Sequence, residues 1–174
     1  MMNKTLKIIL KSLNYIVIVA VVVLFFLMGG IGLFGFKIYT VLSGSMEPDY
    51  KVGSLIYVKD VDTSNLKEKD VITFKTENGV VVTHRINEIS YDENSKKIFR
   101  TKGDANDEAD DVPIYEENVI GKPLFTIPYL GYLSTMISGK NGKFLLISFG
   151  VLLIVFMSVI DYLVSDKREV NDEK

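Results

Sequence analysis

Three kinds of side chain in this sequence could together carry out hydrolysis: serine, histidine and aspartate. Ser45 lies in "VLSGSMEPDY" at 41–50, the one histidine is His84 in "VVVTHRI", and acidic residues crowd the stretch 104–111. A serine hydroxyl is a weak nucleophile at neutral pH and needs a base within hydrogen-bond reach. An ordinary histidine, with a pKa of about 6.5, is largely neutral at pH 7 and can be that base. An acid on the other ring nitrogen would fix the tautomer and stabilise the imidazolium. These residue types suffice for a Ser-His-Asp hydrolase, although spacing alone does not show that they meet.

Composition excludes several other chemistries. The 174 residues include no cysteine and one histidine, which excludes a thiol nucleophile, a cysteine-ligated zinc, a disulfide framework and the two-histidine H-E-x-x-H zinc motif. A calcium loop of the EF-hand kind starting at Asp104 would have Ala109 and Tyr115 where Gly and Glu are required. We therefore expect no metal and no cofactor. The net charge of −2 provides no basic footprint for nucleic acid.

The middle of the chain has the composition of β-strands. Four runs rich in Val, Ile, Tyr, Phe and Thr are separated by turn residues, and they occupy residues 54–61, 70–76, 79–90 and 97–103. Short strands joined by short turns predict a mostly β domain, a small antiparallel sheet or barrel.

His84 lies in an alternating apolar pattern. A period of two places Val80, Val82, His84 and Ile86 on one face of the strand, and Thr83 and Arg85 on the other. A histidine in such a place is either a catalytic base or a core side chain satisfied by one neighbour, and the pattern by itself favours the core side chain.

Two uncharged runs flank the β-rich part. Residues 12–36 and 144–160 carry no charge, and about twenty helical residues cross a bilayer core. The first run is longer than the 7–15 apolar residues of a signal peptide and precedes no A-x-A-like site, so we expect a retained anchor. The second run is long enough to span the bilayer if Asp161 lies among the headgroups.

Lysines before the first run predict a cytoplasmic N-terminus and hence an extracytoplasmic middle segment. The expected organisation is a cytoplasmic N-terminus, a first transmembrane helix, a β-rich catalytic domain, a second transmembrane helix and a cytoplasmic tail, at residues 1–11, 12–36, 37–143, 144–164 and 165–174.

Five motifs in a fixed order resemble the type I signal peptidases. They are "SGSMEP" after an N-terminal anchor, "VTHRI", "TKGDAN…D", "ENVIGK" and "IPYLGYL", covering roughly residues 38–133. In detail they resemble the endoplasmic-reticulum type with its SipW-like branch, peptidase family S26B, in which a histidine replaces the lysine base of most bacterial enzymes. The resemblance implies a membrane-bound serine endopeptidase that removes N-terminal signal peptides after small residues in an A-x-A-like site. It also implies secretory preproteins and the lipid bilayer as partners, and a multi-pass place in the cell membrane.

Residue roles follow from the same resemblance. It implies Ser45 as nucleophile, His84 as general base, Asp110 as the acid that orients His84, and Asp104 as a supporting carboxylate. Asp111 is the rival of Asp110, and the alternative for Asp104 is an acid that caps a turn.

The resemblance also implies an oxyanion hole formed by the Ser43 hydroxyl and the Ser45 backbone N–H; the alternative for Ser43 is a plain turn residue. The sequence departs from the family at Ser54, where an acid is common, and at Lys69, where Gly-Asp is usual.

Two other functions stay open at this point. One is a non-catalytic, membrane-tethered β domain that binds or scaffolds secreted or envelope proteins. The other is a hydrolase of lipid or peptidoglycan amides, which would share the serine chemistry but need a wide pocket.

Overall fold

The computed structural model describes residues 4–28, 30–138 and 140–165. In it the chain divides into two compact units: one comprises the two terminal segments, and the other is Met28–Thr135. The first unit is helical and the second holds all the strands of the described residues. A mostly β domain between helical segments is thus confirmed.

The N-terminal helix differs from its predicted bounds. Helix α1 is Lys4–Met28 instead of 12–36, and a 3₁₀ turn follows at Gly30–Phe34. Glycine costs about 1 kcal/mol in a helix interior, and Gly35 has φ +81°, which glycine adopts readily. The uncharged run therefore continues past Met28, but its glycines end the helix.

In the part of the chain that the structure describes, the sheet is followed by α2 at Leu130–Ser138 and α3 at Lys140–Ser165. The predicted second span, 144–164, lies within α3, but its apolar stretch is the shorter Ser148–Ile160. Among the described residues, only α1 has a segment long and apolar enough to cross a membrane, Thr5–Met28, with a mean hydropathy of 2.5. Residues 1–3 and 166–174 of the predicted cytoplasmic ends lie outside the described residues.

Within the described residues, seven strands form one open antiparallel sheet in the order β1-β2-β7-β3-β4-β5-β6. The four predicted runs correspond to β2, β3, β4 and β5, whereas β1, β6 and β7 were not predicted. Their bounds are β1 Phe36–Thr40, β2 Leu55–Lys59, β3 Val71–Lys75, β4 Val81–Tyr91, β5 Lys97–Lys102, β6 Ile114–Tyr115 and β7 Val119–Ile127.

The alternation predicted for β4 determines which side chains are buried. His84 and Ile86 are buried and Val82 is partly buried, as the period of two requires. Val80 precedes the strand and is 59% exposed, so the burial of this face begins only after it. Ile86 belongs to a core of six buried side chains, with Leu66, Ile72, Phe74, Phe99 and Ile114, and this core supports the strand that carries His84.

Candidate active site

Ser45 lies in the loop at 41–54 that joins β1 to β2. Two backbone hydrogen bonds tighten the turn around it, from Glu47 N to Gly44 O at 3.0 Å and from Tyr50 N to Met46 O at 3.0 Å. The Met46 side chain is buried and anchors the turn, whereas Ser45 stays half-buried and reachable.

His84 lies on β4, opposite Ile72 of β3, and is only 8% exposed. The Phe74 ring meets the imidazole edge-on, with 6.5 Å between ring centroids. The strand pairing and this aromatic neighbour restrict the orientation of the ring, because a side chain in a packed interior has few rotamers open to it.

Both imidazole nitrogens have hydrogen-bond partners from distant parts of the chain. Ser45 Oγ lies 3.1 Å from Nε2 and Asp110 Oδ2 lies 2.6 Å from Nδ1. A carboxylate only accepts, so Nδ1–H donates to Asp110 and leaves Nε2 as the acceptor of the serine proton. Ser45, His84 and Asp110 thus form one continuous hydrogen-bonded chain, which is the arrangement that activates a serine hydroxyl.

Asp110 has a second donor that the sequence analysis did not include. Thr101 of β5 is fully buried, and its hydroxyl donates to Asp110 Oδ2 at 2.6 Å. The backbone N–H of Asp110 also donates to Thr101 O at 2.8 Å. The structure therefore places Asp110, and not Asp111, on the imidazole, and Asp111 is exposed. A threonine one residue before a Lys-Gly-Asp element was the only sequence signal for Thr101.

Asp104 is paired with Arg85 instead of with the histidine. Arg85 Nε and Nη2 donate to its two carboxylate oxygens at 2.7 and 2.6 Å, and this bidentate hydrogen bonding lowers the pKa of Asp104 from its ordinary value, against an opposing effect of burial. The same contact raises the pKa of Arg85. Arg85 also donates to Lys69 O at 3.0 Å and to Asp49 Oδ2 at 3.2 Å. Arg85 was not predicted as a site residue, although the alternation of β4 placed it on the other face from His84.

Ser43 lies beside the serine hydroxyl. Its Oγ is 3.2 Å from Ser45 Oγ, and it is exposed to the space in front of the loop. A hydroxyl there can rotate to donate towards an atom bound at Ser45.

A cavity of about 730 Å³ opens in front of the two serines. One wall is β1 and the start of the 41–54 loop, and another is the first part of β4, with Tyr39, Leu42, Ile56 and Val82 among the lining residues. β1 is at the edge of the sheet, and the pairing of β4 with β5 begins only at Arg85. Two strand edges with free backbone groups therefore face the cavity, and such edges bind extended peptides.

In the described part of the chain, no group of three or more His, Asp or Glu side chains could hold a metal ion.

A serine–histidine–aspartate chain of hydrogen bonds beside two open strand edges is typical of a serine peptidase. Comparison with known proteins identifies the family. The family model for signal peptidase, peptidase S26, matches residues 12–106, and the chain belongs to this family.

Individual relatives agree with that assignment. Signal peptidase I W of Bacillus subtilis (strain 168) is 47% identical over 87 residues, which cover 49% of this chain and 45% of the relative. The signal peptidase complex catalytic subunit SEC11 of Lachancea thermotolerans is 34% identical over 131 residues, which cover 67% of this chain and 77% of the relative. The human signal peptidase complex catalytic subunit SEC11C is 32% identical over 116 residues, which cover 62% of this chain and 59% of the relative. The matched segment thus spans between about half and three quarters of these relatives, and the resemblance to signal peptidases is confirmed.

Proposed function

We propose that this chain is a membrane-anchored serine endopeptidase that removes N-terminal signal peptides from secreted precursors. The observation that carries the proposal is the contact of His84 with both Ser45 and Asp110 in a chain that belongs to the signal peptidase family. Ser45 is the nucleophile, His84 the general base and Asp110 the orienting acid. Asp104 supports this set indirectly, through Arg85.

The reaction begins when Ser45 Oγ attacks the scissile carbonyl carbon and its proton passes to His84 Nε2. The imidazolium that forms is stabilised by Asp110, which keeps its own negative charge. His84 then gives the proton to the leaving amine as the C–N bond breaks, and a water molecule releases the acyl group by the same steps. Acidification slows the reaction because a protonated imidazole cannot accept the serine proton.

The oxyanion that develops on the carbonyl needs donors at its final position. The Ser43 hydroxyl and the Ser45 backbone N–H fill this role, and the loss of one such donor typically costs about 3–4 kcal/mol in the transition state. The support for Ser43 is its Oγ, 3.2 Å from the nucleophile.

The substrate lies extended in the cavity, between the free edges of β1 and β4. Side chains of a strand alternate in direction, so the first and third residues before the cut point to the same wall. The family implies small side chains at these two positions, the A-x-A-like preference. A strand-edge cavity favours an extended peptide over a branched peptidoglycan or lipid substrate.

Membrane anchoring determines which bonds the enzyme meets. In the proposed arrangement α1 spans the cell membrane and the β domain lies on the extracytoplasmic side. The 26-residue α3 spans the membrane again, although its apolar stretch is the shorter Ser148–Ile160. A precursor held in the same bilayer would present its cleavage site near the headgroups, and confinement to one plane raises the effective concentration of the two partners.

The direct test is processing of a secreted precursor by the full chain and its variants. Ser45→Ala and His84→Ala should abolish cleavage, measured by mass spectrometry of the mature N-terminus, while membrane insertion continues. Ser90→Ala, which changes an exposed serine on β4, is the matched control and should process normally. Complementation of a deletion strain by Ser45→Ala would favour the non-catalytic, tethered domain instead.

Replacement of the base by the group that other signal peptidases use is a sharper test. His84→Lys should leave little activity, because the cavity would have to lower a lysine pKa by roughly 3 units to obtain a neutral amine. Near-normal turnover by His84→Lys would mean that the proton acceptor is a different group.

A further inference from the structure

The 41–54 loop is closed at its base by strand-like hydrogen bonds. Val41 N donates to Ser54 O at 2.9 Å, and Gly53 N donates to Val41 O at 2.9 Å. These bonds extend the pairing of β1 with β2, which ends at Thr40 opposite Leu55. The two serines therefore project from a fixed neck, defined here as Val41 with Gly53 and Ser54.

The start of α2 rests on this neck. Gly131 N donates to Gly53 O at 2.9 Å. A Cβ on Gly131 would lie 2.6 Å from Ser54 O and 2.7 Å from Gly53 O, so no other residue fits there without movement of the backbone. A Cβ on Gly53, which has φ +79°, would lie 2.0 Å from the Tyr132 ring. The ring of Tyr132 thus covers the backbone of Gly53 directly.

The turn before α2 adopts an unfavourable backbone conformation to make this contact. Tyr129 has φ +64° and is 75% exposed, so burial of its own side chain does not explain the conformation. Non-glycine residues rarely adopt this region and persist there when the surroundings require it. The turn delivers Gly131 and Tyr132 to the neck.

A different segment holds the tip of the same loop. Ala105 N donates to Ser45 O at 2.9 Å, and a Cβ on Gly103 would lie 2.6 Å from that oxygen. The tip contact fixes Ser45 relative to the segment that carries Asp110. The neck contact fixes the base of the loop relative to β2, and the two contacts together restrict the position of Ser45 Oγ.

We propose that Tyr132, through its packing on Gly53, is a positioning residue for Ser45, and that the first turn of α2 clamps the neck of the 41–54 loop. The proposal rests on the proposed function, because it assigns Tyr132 a part in setting the Ser45–His84 distance. A misplacement of about 1 Å at reacting atoms can cost 10²-fold in rate. Tyr132 touches no reacting atom and acts through the loop.

The experiment uses the full chain in detergent micelles and an internally quenched peptide with alanine at the first and third positions before the cut. Tyr132→Ala should lower kcat about tenfold or more, normalised to the folded fraction, and change KM much less. Tyr132→Phe keeps the ring and should retain normal kcat. Tyr91→Ala removes a similarly exposed tyrosine from β4 and should leave kcat and KM unchanged.

Hydrogen exchange supplies a readout that needs no activity. In Tyr132→Ala, amide exchange should accelerate in a peptide covering 42–52 and stay unchanged in peptides covering β4 and β5. If the wild-type chain cleaves no peptide, the proposed function fails, while the exchange result still decides whether the clamp exists.

A double-substitution cycle tests the contact itself. Gly53→Ala should lower kcat in the wild-type background through both its φ and its collision with the ring. In the Tyr132→Ala background only the φ effect remains, so the fall should be smaller. Any of three results would overturn the proposal. Gly53→Ala could lower kcat equally in both backgrounds, or Tyr132→Ala could have a normal kcat. Tyr132→Phe could also lose as much kcat as Tyr132→Ala.

Discussion

His84 and Arg85 are consecutive residues of β4 that point to opposite sides, and each binds an aspartate from the segment 103–111. His84 Nδ1 contacts Asp110 at 2.6 Å, and Arg85 Nη2 contacts Asp104 at 2.6 Å. The two distances are equal, although Arg85 binds its carboxylate through two nitrogens and His84 binds its carboxylate through one. What differs is the third partner, which is Ser45 Oγ for His84 and a backbone carbonyl with a second carboxylate for Arg85.

The comparison distinguishes a histidine–aspartate pair that takes part in proton transfer from an arginine–aspartate pair that holds chain segments together. An imidazole exchanges a proton near neutral pH, so its aspartate can orient a base. A guanidinium stays charged and offers its donors in a rigid fork. The aspartate bound to it therefore has a structural role and takes no part in proton transfer. Arg85 joins Asp104 to Lys69 and Asp49, and Asp49 follows Ser45 in the same loop. The pair on the arginine side therefore ties together the segments that the histidine side brings into contact.

The largest expected effect is on the histidine side. Asp110→Asn should lower kcat/KM by about 10³–10⁴-fold, because the amide can donate to the ring and favour the wrong tautomer. Peptide cleavage at pH 7 measures this effect. Asp111→Asn is the matched control and should cleave at the wild-type rate; the reverse result would assign the orienting role to Asp111.

A smaller effect, on stability more than on rate, is expected on the arginine side. Asp104→Asn removes the charge from a pair whose side chains are 20% and 33% exposed, so solvent screening limits the loss to about 1 kcal/mol. Thermal unfolding should shift down by about 2–4 °C, and kcat should fall less than tenfold. A loss of activity as large as that of Asp110→Asn would remove the distinction between the two pairs.

At low pH, the difference in stability between the wild type and Asp104→Asn should disappear. The hydrogen bonds from Arg85 lower the pKa of Asp104 from 3.8, so its carboxylate contributes stability that is fully present above that pH. This contribution is lost as pH falls through the lower pKa of the folded state. The difference in melting temperature should be constant from pH 7 to 5 and shrink below about pH 4. A difference that is unchanged at pH 3 would contradict the charge-based explanation.

The smallest effect is expected for the outer partner of Arg85. Asp49 is 60% exposed in its side chain and lies 3.2 Å from Nη2, which is the geometry of a surface ion pair worth about 0–1 kcal/mol. The kcat and the melting temperature of Asp49→Asn should equal those of the wild type within experimental error. A large fall in kcat for this variant would show that Arg85 positions Ser45 through Asp49.

The elements that sequence patterns predicted share one property: they are defined by neighbours in the chain. The four predicted strands, β2 to β5, have sequences with high β propensity that are bounded by turn residues. β1 begins at Phe36, the last residue of the uncharged run, and was missed because only Gly35, with φ +81°, separates it from that run. Lys69 was noted as a departure from the family, and it adopts φ +73°, a conformation suited to the glycine usual there. Its carbonyl is the one that Arg85 binds.

The sequence by itself determined the residue types available for chemistry, the face of β4 that carries His84 and, through the resemblance to a family, motifs that imply Ser45 and Asp110 with Asp111 as its rival. The first two follow from composition and from the period of two, which act along the chain. Only the tertiary structure decided that Asp104 turns to Arg85, that Thr101 holds Asp110, and that α2 rests on the neck of the serine loop. Such contacts join residues far apart in sequence, and they depend on sub-ångström backbone placement that no local pattern encodes.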